Sequence, residues 1–279
     1  MEAQLVESRA ILPGQWLQTW DARWLSGVRA GQFVHLRIEE AGLLLRRPLT
    51  VNTVDRATGR LTLHVRAAGR GSSWLTRARP ADTIEMLGPV GRGWEVDPRS
   101  LHLLLIAEEH GIAGVRLLAD EALEAGRQVV LLFGAPTAAH VYPSGLLPDE
   151  VEYVVATADG SLGHAGTVAD LVPGYEAWAD QAFASASVPT LATLARLARG
   201  REGRLGVARL RRKRGGRRDA LGSAAHRRSA WLQVLMRAPI ACAVGSCLGC
   251  VVWGVDGPQR VCREGPAFAS DEIAWEEDV

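Results

Sequence analysis

Cys242-Ala-Val-Gly-Ser-Cys247-Leu-Gly-Cys250, answered by Cys262, holds all four cysteines of a 279-residue chain. C-x4-C-x2-C with a distant fourth cysteine is the ligand spacing of a plant-type [2Fe–2S] cluster. Four thiolates have to converge on two irons, and one tight loop can present three of them. Gly245 and Gly249 let that loop turn where a side chain would clash, leaving backbone N–H groups to face the sulfurs. Other readings compete. Two disulfides need an oxidising compartment, and nothing else in the chain points to secretion. A structural zinc usually takes two C-x2-C knuckles, and only one is present. A Rieske centre needs two histidines, and His226, the nearest, is not spaced for it.

Working outward, the whole chain sets the frame for this loop. It has room for two domains, or two and a small appendage. At 47% hydrophobic and 23% charged residues it can bury a core, and its net charge of +1 gives no global field for nucleic acid or a membrane. The amino-terminal MEAQLVESRAILPG lacks a basic-then-apolar signal pattern, and no window offers a membrane-spanning run, so a cytoplasmic, reducing setting is expected. Lys213 is the single lysine among many arginines, a compositional bias that weakens arguments from Arg-rich patches.

Residues 1–97 read as short strands and turns. Gln32-Phe-Val-His-Leu-Arg-Ile38 and Arg60-Leu-Thr-Leu-His-Val-Arg66 alternate, and glycines punctuate them, which predicts a small antiparallel barrel. Trp16, Trp20 and Trp24 have helical spacing but fall among strand-like segments, so packing is their expected role. Two features suit a phosphate. Arg46-Arg47-Pro48-Leu49-Thr50 offers a guanidinium and then a hydroxyl. Gly69-Arg70-Gly71-Ser72-Ser73 lets backbone amides come close, with Ser72 or Ser73 expected to cap a short helix. Leu87-Gly-Pro-Val-Gly-Arg-Gly-Trp94 reads as a turn-rich exit from the barrel.

Residues 98–236 change character. Leu101-His-Leu-Leu-Leu-Ile106 is a strand apolar on both faces, Ile112 to Ala125 has helical periodicity, and strands at 129–133 and 151–155 follow. A helix from about Ala165 to Val172 and a strand near Gln181–Ala184 continue an alternation that predicts a parallel doubly wound sheet. A basic, glycine-containing insertion at about 200–228, centred on Arg211–Arg218, interrupts it. This run reads either as a solvated loop or as a docking patch. Trp231–Met236 resumes as a strand, and residues 237–279 form the small cysteine module.

Taken in this order, Arg47-Pro48-Leu49-Thr50, Gly69-x-Gly71-Ser72, Leu87-Gly-Pro-x-Gly91, Cys242-x4-Cys247-Leu-Gly-Cys250 and Val261-Cys-Arg-Glu-Gly-Pro-Ala-Phe268 resemble the ferredoxin reductase superfamily. Within it the chain is most similar to the electron-transfer subunits of class 1B dihydroorotate dehydrogenase. The resemblance implies an N-terminal FAD-binding β-barrel, a Rossmann-like α/β domain of the NAD type, and a C-terminal [2Fe–2S] module. It implies that Arg47 meets the FAD pyrophosphate, Pro48 and Leu49 lie by the flavin ring and Thr50 bonds near its redox-active nitrogen. Gly69, Gly71 and Ser72 would hold the diphosphate, His64 and Val65 would follow the ribityl or adenosine portion, and Cys242, Cys247, Cys250 and Cys262 would bind the cluster. The implied function is electron transfer between the FMN of a catalytic dihydroorotate dehydrogenase subunit, in a hetero-oligomer, and NAD or another acceptor in pyrimidine biosynthesis. No acid, base or nucleophile constellation for chemistry on dihydroorotate itself appears.

Two departures bear on the acceptor. Where relatives carry a glycine-rich turn, this chain has Ala107-Glu108-Glu109-His110-Gly111, and two carboxylates there disfavour an anionic pyrophosphate. Ser185-Ala186-Ser187-Val188-Pro189 stands where relatives carry Cys-Gly-Pro, while Thr157-Ala-Asp-Gly-Ser161-x-Gly163 keeps its family form. A working NAD(H) site and a retained scaffold both stay open. Two further function classes do too: the flavin–iron–sulfur subunit of an NAD(P)H-linked hydrogenase or ferredoxin oxidoreductase, and a zinc-stabilised protein using residues 211–218 on nucleic acid.

Overall fold

Alternation along the first strands gives them an apolar face, and a barrel encloses those faces. The computed structural model of the chain describes residues 1–38, 42–204 and 230–275, so the basic run 211–218 lies outside the described residues. Six antiparallel strands, β1 (Glu2–Leu12), β2 (Gln15–Asp21), β3 (Phe33–Arg37), β4 (Arg47–Asp55), β5 (Arg60–Arg66) and β6 (Thr83–Val90), form a closed barrel in the order β1-β2-β5-β4-β3-β6. Period-2 geometry turns Leu61, Leu63 and Val65 of β5 into the barrel core and leaves His64 on the opposite face. Trp20 is fully buried in the same core and Trp24 packs against it, so the tryptophan spacing reflects β2 and the short turn after it rather than a helix. Helix α1 (Arg70–Leu75) follows β5.

The barrel's exit differs from the turn-rich reading, because Leu87–Val90 still belong to β6. Phe33 of β3 pairs with Val90 and His35 with Leu87, so Gly88 and Pro89 occupy a bulge opposite Val34. A bulge is the place where a strand tolerates a residue without an N–H.

Beyond the barrel, β7 (His102–Glu108), α2 (Ile112–Glu124), β8 (Gln128–Ala135), β9 (Glu152–Thr157), β10 (His164–Ala165), α3 (Val168–Leu171), β11 (Gln181–Ser185), α4 (Val188–Arg204) and β12 (Leu232–Leu235) build the α/β region. The sheet order is β10-β9-β8-β7-β11-β12, all parallel. The chain starts in the middle at β7, works to one edge, then returns to the other side through β11. The switch point of this doubly wound sheet therefore lies between β7 and β11, where such folds open a ligand crevice. The α3 helix is shorter than its apolar pattern suggests. Gly166 at φ +147° is outside helical space, and the Asp170 carboxylate accepts from both the Thr167 N–H (2.7 Å) and hydroxyl (2.8 Å), fixing the start.

The two regions are stitched together. The buried face of α2 lies against β4, the Trp94 indole N–H donates to the Gly114 carbonyl (2.7 Å), and Glu121 accepts from Arg56 (2.7 Å). The connecting segment donates from Glu95 N–H to Gln233 (3.0 Å) and from Asp97 N–H to Gln181 (2.7 Å). After β12 the chain enters the cysteine loop, makes the hairpin β13 (Val251–Gly254) and β14 (Gly257–Arg260), and returns as β15 (Ala267–Ala269) antiparallel to β12. The cysteine module is thereby an extension of the α/β sheet's edge.

Candidate functional site

The cysteine loop is held in a conformation that ordinary residues resist. Ala243 (φ +59°), Gly245 (+79°) and Leu248 (+57°) all adopt left-handed backbone. Alternating left-handed residues turn successive amides toward one concavity, the arrangement that receives anions and sulfur clusters. Gly249 N–H points at the Cys247 sulfur (3.4 Å). The Cys242 thiol is lowered to about 5 by hydrogen bonds from the Cys247 and Val244 amides and from Ser246, so the loop favours a thiolate there. Burial, together with the neighbouring Cys250, pushes the Cys262 thiol up to about 11.

Hydrogen bonds outside the loop set the spacing. Val261 N–H donates to the Cys250 carbonyl (2.9 Å), which holds Cys250 and Cys262 side by side. Arg260 donates to the Gly245 carbonyl (3.0 Å) and is itself fixed by Glu264, whose carboxyl is lowered to about 2 chiefly by that hydrogen bond. The Arg263 side chain lies 3.0 Å from where a Cβ on Gly245 would stand, so a larger residue, already disfavoured by the left-handed φ of +79°, would crowd it. The cysteines associate two and two: Cys242 with Cys247, both nearer solvent, and Cys250 with Cys262, both buried. Among the described residues no three histidine, cysteine or acidic groups converge on a point that could hold a single metal ion. Two thiolates for each of two irons is the division a [2Fe–2S] cluster needs, so the donor set fits that group better than it fits one zinc.

A cavity of about 280 Å³ adjoins the loop. Pro48, Leu49, Thr50 and His64 line it from the barrel, His110, Ala113 and Gly114 from the start of α2, and Ser185 from the end of β11. Met236 closes it from the end of the α/β region, and Arg237, Ala238, Ile240, Val261 and Pro266 from the cysteine module. Its walls are mostly apolar with a few polar groups, as a site for a planar heteroaromatic requires. Both ring nitrogens of His64 are buried without a protein partner, and burial lowers its pKa to about 4, so the ring is neutral and its polar atoms await a ligand. Gly71 faces the Arg47 side chain: a Cβ there would stand 3.2 Å from its Nε and 3.3 Å from its Cγ. The two phosphate-friendly stretches, far apart in sequence, thus meet in one place, and the residues fit FAD.

The remaining residues fall into place unevenly. Ser72 is the third residue of α1 rather than its cap; its hydroxyl accepts from the Ala68 (2.9 Å) and Gly69 (3.0 Å) amides while Gly69 takes the capping position. Val65 is buried in the barrel core and lines no part of the cavity. Arg46 is drawn off by Glu85 (2.5 Å), whereas Arg47 bonds only the Leu45 (3.0 Å) and Arg46 (3.2 Å) carbonyls among the described residues.

A second cavity of about 420 Å³ opens at the switch point, lined by Arg66, Glu108, Glu109, His110, Gly134, Ser187 and Arg237 among others. His110 belongs to the departing turn already read from sequence, whereas Arg66 and Arg237 join this site only through the fold. Arg66 merely ends a strand pattern and Arg237 follows one, so neither carries a local signal. Arg237 donates to His110 Nε2 (2.6 Å), and burial beside this cation lowers His110 to about 3, keeping it neutral.

Comparison with known proteins agrees with this geometry. A family model described as the iron–sulfur cluster binding domain of dihydroorotate dehydrogenase B matches residues 238–274, and the oxidoreductase FAD-binding domain matches residues 21–94. The chain is 31% identical to the "Dihydroorotate dehydrogenase B (NAD(+)), electron transfer subunit" of Geobacillus thermodenitrificans, over 87% of this chain and 86% of the relative. It is 29% identical to the protein of the same name from Desulforamulus reducens, over 99% of this chain and 98% of the relative. A solved NADH-dependent reduced ferredoxin-NADP oxidoreductase superposes with a TM-score of 0.78 at 23% identity, covering 98% of this chain and 89% of that one, and so shares the fold. A barrel joined to a doubly wound sheet, a cysteine loop built for two irons, and these relatives lead to one conclusion: the chain belongs to the family of dihydroorotate dehydrogenase B electron transfer subunits.

Proposed function

We propose that this subunit carries electrons, in pyrimidine biosynthesis, between the FMN of a catalytic dihydroorotate dehydrogenase subunit and an acceptor, NAD or another carrier. The two subunits act as a hetero-oligomer in the cytoplasm. No helix among the described residues is long and apolar enough to cross a membrane, which suits that setting. FAD exchanges electrons in pairs or singly, and a [2Fe–2S] cluster carries one at a time. In this reading Arg47, Gly69, Gly71 and Ser72 hold the FAD diphosphate, and Pro48, Leu49 and Thr50 hold the flavin. His64 lies along the remainder, Val65 serves the barrel core behind it, and Cys242, Cys247, Cys250 and Cys262 hold the cluster.

The observation that carries the proposal is the shared wall. Val261 lines the cavity that would take the flavin, and its chain neighbour Cys262 is one of the four cysteines that would hold the cluster, so the two sites adjoin along the backbone. The residues themselves move no substrate proton; they bind, orient and exclude water. His64 and His110, both kept neutral, add no charge against the flavin. Co-expression with a flavin-containing dihydroorotate dehydrogenase tests the proposal. The expected result is a stable complex in which dihydroorotate reduces FAD and cluster anaerobically. A complex that forms orotate while FAD and cluster stay oxidised would refute it.

A further inference from the structure

Glu108 ends β7 and Ser187 follows β11, so the two residues face each other across the switch point of the sheet. The Glu108 carboxylate bridges that gap. It accepts from the Ser187 N–H (3.0 Å) and from the Thr190 hydroxyl (2.6 Å), which places it on the first turn of α4. Ser187 Oγ in turn donates to Thr190 Oγ1 (3.0 Å) and accepts from the Thr190 N–H (3.4 Å), so the polar groups of Ser187 and Thr190 are engaged inside the protein. The Glu108 stem lies flat over Gly134 of β8, its Cγ 3.3 Å from where a Cβ on that glycine would stand. Beside it Glu109 takes φ +43°, a left-handed conformation that favours glycine and disfavours a long acidic side chain.

A dinucleotide in such a crevice rests its pyrophosphate on free amides at a helix N-terminus, near the turn that follows the first strand. Here that turn supplies two carboxylates, and the α4 amide and hydroxyl are already taken by one of them. Arg66 and Arg237 line the same cavity, but they leave its ionisable lining balanced against Glu108 and Glu109 instead of cationic. We infer that Glu108 is a specificity determinant that closes this crevice to pyridine dinucleotides, so the subunit's acceptor is not NAD(H). The inference rests on the electron-transfer function proposed above and narrows it.

The test uses the holoprotein, anaerobically. NADH is mixed with wild type, Glu108→Gly and Glu108→Gln while flavin absorbance is followed, and ADP-ribose binding is titrated by calorimetry. Wild type is expected to show no saturable binding up to roughly 1 mM, the top of the common KM range. Glu108→Gly is expected to bind at least about tenfold more tightly, equivalent to about 1.4 kcal/mol. Glu108→Gln, which keeps the volume and one acceptor but removes the charge, falls between them. FAD and iron content at wild-type levels certify that the variants fold; if the glycine variant loses them, the glutamine variant carries the comparison. Micromolar NADH binding with rapid bleaching of the wild-type flavin overturns the inference. So does a folded variant that gains nothing. A wild-type preparation lacking FAD would instead count against the proposed function, and the ADP-ribose titration, which needs no flavin, would still judge Glu108.

Discussion

Two adjacent arginines enter β4, and their surroundings assign them different work. Replacing Arg47 with alanine is expected to weaken FAD binding and leave folding almost untouched. Its guanidinium bonds two carbonyls near its own backbone, and Gly71 keeps the space beside it open. A charge-assisted hydrogen bond contributes about 1.5–3 kcal/mol, so losing one from a diphosphate should lower affinity roughly 10- to 100-fold. Arg46 is the internal control. Its partner Glu85 is 40% exposed and keeps a second cation, Arg37 at 3.4 Å, so Arg46→Ala should cost at most about 1 kcal/mol of stability and leave FAD affinity unchanged. Fluorescence titration of the flavin-free protein with FAD measures both affinities, and urea denaturation measures both stabilities. Equal loss of FAD affinity in the two variants, or a larger loss in Arg46→Ala, would refute the assignment.

Cys247→Ser should abolish the visible absorption of the cluster and halve neither FAD content nor its affinity, because Cys247 lies on the exposed side of the loop away from the flavin cavity; iron analysis and the flavin band check both halves of that statement. His64 predicts a pH dependence. Its pKa falls from 6.5 to about 4 on folding, so the unfolded chain binds the extra proton first and stability is lost as pH drops below 6.5 toward 4. By pH 5 that loss is about 2 kcal/mol, at about 1.36 kcal/mol per unit. Urea denaturation of wild type and His64→Leu at pH 7 and 5 should show the wild-type difference larger by that amount, and parallel behaviour would count against a buried neutral ring.

Much of this architecture was legible because its signals are local and repetitive. The period-2 run in β5 and the doubly apolar β7 announce a barrel and a parallel sheet, since each pattern reflects which faces are buried, whereas β3 alternates in sequence yet is buried on both faces from Phe33 to Leu36. The cysteine spacing is equally local, because one loop must present three sulfurs. What sequence could not show is long-range pairing. The meeting of Arg47 with Gly71 across the barrel depends on strand order, and so does the choice of Arg47 over Arg46, which Glu85 decides from β6. Short elements also misled. Gly88-Pro89 reads as a turn yet sits within a strand, because a bulge opposite Val34 absorbs it. At α3 a single glycine conformation and one acidic cap outweigh an apolar pattern extending further in both directions.

The deepest consequence of the fold is that one cavity joins three regions, none of which could build it alone. The barrel contributes Thr50 and His64, the α/β region His110 and Ser185, and the cysteine module Val261 and Pro266. The contacts that fix these walls are themselves between regions: Trp94 to Gly114, Glu95 to Gln233, and β15 paired with β12. Such a junction is complete only when all three parts are assembled, and it has Cys262 next in the chain to one wall residue, Val261. Hydride exchange needs a further opening for a second ring to approach, on the side where the switch-point crevice lies. There Glu108 ties β7 to α4. A cluster held by Cys262 would need no such opening to exchange electrons with a flavin in the cavity, since Cys262 follows Val261 in the chain. A family member can therefore lose its dinucleotide crevice and keep the rest of its electron path, because Glu108 lines only the crevice and Val261 only the flavin cavity, although His110 and Arg237 line both.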